Sequence, residues 1–164
     1  MTAVVLTVSD SSAAGKREDR SGPAVRDRLA ALGWSVAVEV LPDERLVIAR
    51  RLRELCDTGG ADAVLTTGGT GVAERDVTPE ATREVVEREI PGIAEWMRAE
   101  GMKKTRRAIL SRGIAGIRGR TVIVNLPGSP KGAVESLDAI CDLLPHVVDL
   151  LHGQTSHDPQ AKLL

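Results

Sequence analysis

The sequence predicts a three-layer α/β fold in which a mostly parallel sheet carries helices on both faces. Short runs rich in Val, Leu and Ile alternate along the chain with longer segments of helical periodicity, which is the order of βαβ units. These short runs are largely apolar, as strands covered on both faces are. Hydrophobic residues make up 42% of the 164 residues while Phe and Tyr are absent, so Val, Leu, Ile and Ala must build the core.

Four short apolar runs bounded by polar or Gly-rich sequence are predicted to be strands. In chain order they are Ala3–Val8, Ser35–Leu41, Ala61–Thr66 and Thr121–Leu126. The polar stretch Ser9–Gly22 is predicted to be a mobile loop, and its Lys16, Arg17 and Arg20 are expected within reach of phosphates. A solvated loop without a ligand is the alternative.

Five helices are predicted from the 3.6-residue periodicity, at residues 23–33, 43–58, 78–89, 93–102 and 131–151. Pro23 suits a first helical turn, Asp43 stands where an N-cap would, and Thr78 offers a capping hydroxyl before Pro79. Residues 1–153 are expected to form one domain. Residues 154–164 are polar and without periodicity, so they are expected to be a mobile tail.

Composition and charge exclude several classes of protein. With 22 basic and 23 acidic residues, the chain has no electrostatic attraction to a polyanion, so no nucleic-acid partner is expected. No apolar run approaches the roughly 20 residues that span a bilayer. The amino terminus lacks the basic start of a signal peptide, so a cytoplasmic location is expected. Cys56 and Cys141 are isolated in helical patterns, which favours reduced thiols over a disulfide or metal site.

Functional residues are expected at the carboxyl edge of the sheet, where open α/β sheets bind their ligands. The segment Thr66–Asp76 (TTGGTGVAERD) lies at such a strand end. Its three glycines let backbone N–H groups approach a phosphate closely, although a Gly-rich turn without a ligand is the alternative. Glu74 breaks the dinucleotide-binding pattern, and no glycine-rich stretch ends in the Gly-Lys-Ser/Thr of a P-loop.

Two aspartates that follow neighbouring strands are candidate ligands of Mg²⁺. Asp43 follows the second strand, and Asp76 lies just beyond the Gly-rich segment after the third. One or two carboxylates together with substrate phosphates are the usual Mg²⁺ ligands in phosphate-transfer sites. The helix N-cap role stays open for Asp43, and a solvated acid paired with Arg75 stays open for Asp76.

Five motifs stand out along the chain: Thr67–Gly71 with Asp76–Glu80 (TGGTG and DVTPE), Thr7–Asp10 (TVSD), Leu41–Glu44 (LPDE), Leu126–Lys131 (LPGSPK) and Ile109–Arg112 (ILSR). Together they resemble the MogA/MoaB family of molybdenum cofactor synthesis proteins. The resemblance extends from Met1 to about Gly153 and keeps the motifs in order. One departure is Arg106, which stands near a position where relatives often carry Pro.

The resemblance implies an enzyme that adenylylates molybdopterin with ATP and Mg²⁺, giving adenylyl-molybdopterin and pyrophosphate. It also implies a homotrimer, with other enzymes of molybdenum cofactor synthesis as candidate protein partners. Active relatives need two aspartates, which match Asp43 and Asp76 here and are assigned to catalysis and to Mg²⁺. Some MoaB-type relatives replace these acids, so a non-catalytic pterin-binding protein is the first alternative. A nucleotide-dependent oxidoreductase is the second.

The same motifs supply the candidate binding residues. The Gly-rich segment is expected to cradle phosphate, while Ser129 with its flanking prolines, and Ser111, are expected to line a pterin pocket. Lys131 is a further candidate at a helix start. The full set is Thr67, Gly68, Gly69, Thr70, Gly71, Ser111, Pro127, Gly128, Ser129 and Lys131.

Overall fold

A computed structural model describes residues 1–154 and contains one six-stranded sheet. The strands are β1 (Thr2–Val8), β2 (Ser35–Leu41), β3 (Ala63–Thr67), β4 (Arg88–Glu89), β5 (Ala115–Arg118) and β6 (Thr121–Leu126). The helices are α1 (Asp10–Ala13), α2 (Ser21–Ala31), α3 (Arg45–Asp57), α4 (Thr78–Arg83), α5 (Pro91–Met102), α6 (Pro130–Asp138) and α7 (Leu143–Leu151), with a 3-10 helix at Arg106–Leu110.

The four predicted strands are all present and form the parallel part of the sheet. The strand order is β2-β1-β3-β6-β5-β4, and β2, β1, β3 and β6 run parallel to one another. Every residue of β3 and β6 is buried, because helices cover both faces of these strands. Helices α2, α5, α6 and α7 pack on one face and α3 with α4 on the other. The predicted three-layer α/β fold is therefore confirmed.

The sequence prediction missed the two antiparallel strands β4 and β5. β5 pairs with β6 through the two-residue turn Gly119-Arg120, in which Gly119 has a φ of 56°. A positive φ at the first turn residue is what a tight hairpin needs, and glycine adopts it without strain. β4 has only two residues and pairs with β5 at the sheet edge. It occupies the end of the segment predicted as a helix to Glu89, so α4 ends earlier, at Arg83.

Other helix predictions are corrected by the structure. The segment 131–151 is two helices, α6 and α7, separated by residues 139–142. Pro145, in the first turn of α7, explains the break because its ring removes a helical N–H and clashes with the carbonyl four residues earlier. The segment Ser9–Gly22, predicted to be a loop, contains the short helix α1 and the first turn of α2. Whether the rest of it is mobile stays a prediction.

Both predicted capping roles are wrong. Glu44 occupies the N-cap position of α3 without a side-chain bond, so Asp43 does not cap this helix. Thr78 is the first residue of α4, and its hydroxyl donates to the Gly68 carbonyl at 3.0 Å. Both side chains are thereby directed to the loops at the carboxyl edge of the sheet.

Four further points concern the organisation of the chain as a whole. No helix within residues 1–154 is long and apolar enough to cross a membrane. Cys56 and Cys141 are free thiols, as expected, and Cys56 is buried. The predicted mobile tail begins at residue 154, and its residues 155–164 lie outside the described part of the chain. One domain over residues 1–153 stays a prediction.

Candidate active site

The ends of the parallel strands bring the sequence motifs together. Register pairs Val8 with Leu41, Thr7 with Thr67, and Thr67 with Leu126. The strands therefore end level with one another, and the loops that follow β1, β2, β3 and β6 meet along one edge.

The Gly-rich loop after β3 packs directly against the loop after β6. Gly68 has a φ of 93°, and a Cβ there would overlap the carbonyl oxygen of Val8. A Cβ on Gly128 would lie 3.1 Å from the Cα of Gly68. Two backbones can approach this closely only without side chains, which explains why both motifs carry glycine at these positions.

Asp43 and Asp76 both lie against this Gly-rich loop. A Cβ built on Gly69 would come 3.3 Å from Oδ1 of Asp43, and one built on Gly71 would come 2.7 Å from Oδ2 of Asp76. Oδ2 of Asp76 also accepts a hydrogen bond from the Ala73 backbone N–H at 2.9 Å. The structure therefore brings together the two acids that the sequence singled out, Asp43 beside Gly69 and Asp76 beside Gly71.

A third acid, Asp10, joins this cluster. The backbone N–H of Asp10 donates to Asp43 Oδ2 at 2.8 Å, and the backbone N–H of Asp43 donates to Asp10 Oδ1 at 2.9 Å. The Arg75 guanidinium hydrogen-bonds the Asp10 carboxylate and holds the pKa of Asp10 below its ordinary value. Asp10 lies in one of the sequence motifs, but nothing in the sequence indicated this contact with Asp43.

Burial raises the pKa of Asp43 most, the hydrogen bond from the Asp10 N–H lowers it, and the charges of Asp10 and Asp76 raise it against the charge of Arg75. A half-buried carboxylate whose pKa is raised on balance is stabilised by an added cation. The site therefore suits a divalent cation, although residues 1–154 hold no cluster of three or more His, Cys, Asp or Glu side chains arranged as metal ligands. Mg²⁺ needs no such cluster, because it takes substrate phosphates and waters as its other ligands.

Buried hydroxyls fix the start of α4 behind the Gly-rich loop. Nδ2 of Asn125 donates to the hydroxyls of Thr66 and Thr82 at 3.1 and 2.9 Å. The Thr82 hydroxyl donates to the Thr78 carbonyl at 2.8 Å, and Thr78 in turn bonds Gly68. This chain of hydrogen bonds couples β3, β6 and α4, so the loop is held from a rigid base.

The larger of two cavities at this edge has a volume of about 390 Å³. Its lining includes most of the predicted binding residues, together with Asp76: Gly69, Thr70, Gly71, Ser111, Pro127, Gly128 and Ser129. Thr105, Arg107 and Leu110, around the 3-10 helix, also line it. Such a mixed apolar and polar lining suits a small organic ligand.

The smaller cavity has a volume of about 170 Å³ and lies on the other side of the Gly68–Gly128 contact. Thr67 and Gly68 line it together with Arg17 and Arg20 from the segment after β1. Gly128 lines both cavities. Glu18 and Asp19 line it as well, and Arg20 pairs with Glu18 at 3.6 Å. The two guanidinium groups and the Gly-rich loop can donate to a phosphate, but the two acids offset their charge.

Two predicted residues line neither cavity, and a third has an additional structural role. Lys131 is largely exposed and lines neither cavity, although it pairs at 3.9 Å with Glu135, which lines the larger one. Asp43 lines neither cavity and reaches the site through the Gly-rich loop. Ser129 lines the larger cavity, but its hydroxyl also accepts from the Gly132 backbone N–H at 3.1 Å as the N-cap of α6.

Known proteins match this chain over most of its length. The sequence profile of the family described as "Probable molybdopterin binding domain" matches residues 4–146. A molybdopterin adenylyltransferase of Helicobacter pylori is 43% identical over 152 residues, which cover 91% of this chain and 86% of the relative. That of Escherichia coli K12 is 40% identical over 152 residues, covering 91% and 77%.

Solved structures agree with the sequence matches. The molybdopterin biosynthesis enzyme MoaB of Thermus thermophilus is 53% identical, with a TM-score of 0.87 over 93% of this chain and 96% of that one. The tungsten cofactor synthesizing MoaB of Pyrococcus furiosus is 35% identical, with a TM-score of 0.82 over 92% and 96%. The resemblance inferred from the sequence motifs is thus confirmed, and the chain belongs to the MogA/MoaB family of molybdopterin-binding proteins.

Proposed function

We propose that this protein is a nucleotidyltransferase that adenylylates molybdopterin at the carboxyl edge of its sheet. The observation that carries the proposal is the placement of Asp43 beside Gly69 and of Asp76 beside Gly71, in a glycine loop between two cavities. Relatives that are 40% and 43% identical over nine-tenths of the chain are named molybdopterin adenylyltransferases, which supports this class of enzyme.

The proposed reaction joins two anionic substrates. A terminal phosphate oxygen of molybdopterin attacks the α-phosphorus of ATP, and the bond from that phosphorus to the bridging oxygen of the β-phosphate breaks. Adenylyl-molybdopterin forms, and pyrophosphate leaves with the bonding electron pair. Charge neutralisation and alignment dominate such a transfer, so no covalent nucleophile is required.

Each wall of the site has a part in this scheme. The backbone N–H groups of Thr67–Gly71 would cradle phosphate, because glycine lets the main chain approach an anion. Ser111 and Ser129, with Pro127, would hold the pterin in the larger cavity. Arg17 and Arg20 would face the triphosphate in the smaller one. The two substrates would then meet at the Gly68–Gly128 contact.

Asp43 and Asp76 are the proposed ligands of Mg²⁺. Bound there, Mg²⁺ would neutralise phosphate charge as the pyrophosphate departs. The burial of Asp43 and its charge repulsion with Asp76 favour this assignment, because a bound cation would offset both. Arg75 already neutralises Asp10, which leaves Asp43 and Asp76 for the metal.

Incubation with molybdopterin, ATP and Mg²⁺ tests the proposal. Mass spectrometry should detect adenylyl-molybdopterin and an equal amount of pyrophosphate, and neither product should form without Mg²⁺. Tight binding of molybdopterin with no product would instead assign the non-catalytic role. Turnover of a nicotinamide or flavin cofactor would assign an oxidoreductase.

We further propose a cytoplasmic homotrimer that exchanges pterin with other enzymes of molybdenum cofactor synthesis. Leu46, Val72 and Ile109 are apolar side chains that are more than 60% exposed, and subunit contacts would cover such surface. Light scattering at micromolar concentration should give about three times the chain mass of 17.4 kDa. A monomer under these conditions would exclude the trimer.

A further inference from the structure

Arg112 bonds both ends of the loop that carries Asp76. Its Nε donates to the Gly71 carbonyl at 2.6 Å, and its Nη2 donates to the Asp76 carbonyl. Its backbone N–H donates to the Thr70 carbonyl at 2.9 Å. Three of the hydrogen bonds that hold this loop therefore come from one residue that is distant in sequence.

The guanidinium is itself held by a carboxylate. Nη1 of Arg112 pairs with Glu80, in the first turn of α4. On the other side, Nη1 of Arg98 donates to the Gly113 carbonyl at 3.1 Å, which steadies the backbone next to Arg112. Arg112 is thus held through its side chain by α4 and through the neighbouring backbone by α5.

The loop between Gly71 and Asp76 has little packing of its own. Val72, Ala73, Glu74 and Arg75 are all exposed, so no buried side chain anchors them. Within the loop, the Asp76 N–H donates to the Ala73 carbonyl at 2.9 Å, which shapes the turn but does not attach it to the sheet. The side chains that attach this loop to the rest of the protein are Arg112 and Arg75, which forms an exposed ion pair with Asp10.

We infer that Arg112 is a positioning residue, which sets the place of the Asp76 carboxylate for Mg²⁺ by holding the main chain on both sides of it. This inference rests on the proposed function. Arg112 bonds the backbone carbonyl of Asp76, while the Asp76 carboxylate accepts its hydrogen bond from the Ala73 N–H. Arg112 therefore positions this residue without forming an ion pair with its carboxylate. A planar fork of five donors can serve two carbonyls and a carboxylate at once, and the single ammonium of Lys cannot.

Arg112→Lys tests this role, with Arg118→Lys as the matched control. Arg118 is also a fork that bonds a carboxylate and a carbonyl, those of Asp57 and Val85, at the opposite edge of the sheet. Amide hydrogen exchange of residues 70–77 should rise about tenfold in Arg112→Lys and stay at the parent level in Arg118→Lys. The Mg²⁺ concentration for half-maximal product formation should rise about tenfold in Arg112→Lys alone, with molybdopterin affinity unchanged.

A second variant, Glu80→Gln, keeps Arg112 and weakens only its anchor. The amide hydrogen exchange of residues 70–77 should rise in Glu80→Gln as well, by a smaller factor. This variant tests the positioning role if Arg112→Lys does not fold. If Arg112→Lys folds and the amide exchange of residues 70–77 stays at the parent level, the positioning role is wrong. If Arg112→Lys does not fold, parent-level exchange in Glu80→Gln has the same meaning. If the parent itself makes no adenylyl-molybdopterin, the proposed function fails, while loop exchange still decides the role of Arg112.

Discussion

The two edges of the sheet use the same residue types in opposite ways. At the amino edge, both carboxylate oxygens of Asp57 are bonded by Arg118, at 2.8 and 3.0 Å, and this contact lowers the pKa of Asp57. At the carboxyl edge, the pKa of Asp43 is raised, first by burial and then by the charges of Asp10 and Asp76, although the Asp10 N–H and Arg75 lower it. Asp57 is thus paired with an arginine fork, while Asp43 is a partly buried acid whose ionised form an added cation would stabilise.

The glycines of the two edges show the same contrast. A Cβ on Gly119, in the hairpin at the amino edge, would meet nothing within 4 Å, although its φ is 56°. A Cβ on Gly68 at the carboxyl edge would overlap the backbone of Val8. Glycine serves a turn at one edge and a close approach of two backbones at the other. An aspartate or a glycine therefore indicates a ligand-binding site only when the residues around it are known.

The largest expected effect is that of Asp76→Asn on activity, compared with Asp57→Asn. Replacing the proposed metal-binding carboxylate by an amide should lower the rate of adenylyl transfer about a hundredfold, or roughly 3 kcal/mol, with a much smaller change in molybdopterin affinity because the amide keeps the shape of the cavity wall. Asp57→Asn should leave the rate unchanged and lower only stability. Initial rates at saturating Mg²⁺ check both variants, and equal rates in Asp76→Asn and parent would refute the metal assignment.

A smaller effect, on folding, should separate Gly68→Ala from Gly119→Ala. Gly68→Ala combines a positive φ with a backbone clash, so we expect a loss of about 3 kcal/mol in the free energy of unfolding. Gly119→Ala carries the strain of a positive φ alone and should cost about 1 kcal/mol. Urea unfolding followed by circular dichroism measures both, and a similar loss in the two variants would contradict the close approach at Gly68.

The smallest effect is a gain in stability for Asp43→Asn without Mg²⁺. A raised pKa means that folding disfavours the ionised form, so the parent is relatively more stable below about pH 3.9 and loses that stability as the pH rises through the folded pKa. An amide avoids this loss, and Asp43 caps no helix. At pH 7 the Tm should therefore rise by about 2 °C, as scanning calorimetry can show. A fall in Tm would mean that the contact with Asp10 outweighs the burial and charge repulsion of the carboxylate.

Much of the fold could be predicted from the sequence because the four parallel strands are short apolar runs. β1, β3 and β6 are almost wholly buried, whereas β2 lies at the sheet edge without a buried residue but is equally rich in Val. β5 was missed because its four residues include Gly116 and Arg118, too few to show a periodicity. The break before α7 was detectable, since Pro145 disfavours one continuous helix there.

The candidate site was less predictable, because half of it depends on contacts between distant segments. The motifs indicated Asp43, Asp76 and the glycines by residue type and by position after a strand. Arg112 stands in one of those motifs but bonds the carbonyls of Gly71 and Asp76. No local pattern reports such a contact. Lys131 shows the reverse case, a plausible residue at a helix start that faces solvent.

Anomalous diffraction from crystals grown with Mn²⁺ and an ATP analogue that cannot be cleaved between its α- and β-phosphates would locate the proposed metal site. We predict an anomalous peak within coordination distance of the Asp43 or Asp76 carboxylate, about 2 Å, and shared with a phosphate oxygen held by the Gly-rich loop. Bound nucleotide whose Mn²⁺ peak lies away from both aspartates would contradict the account.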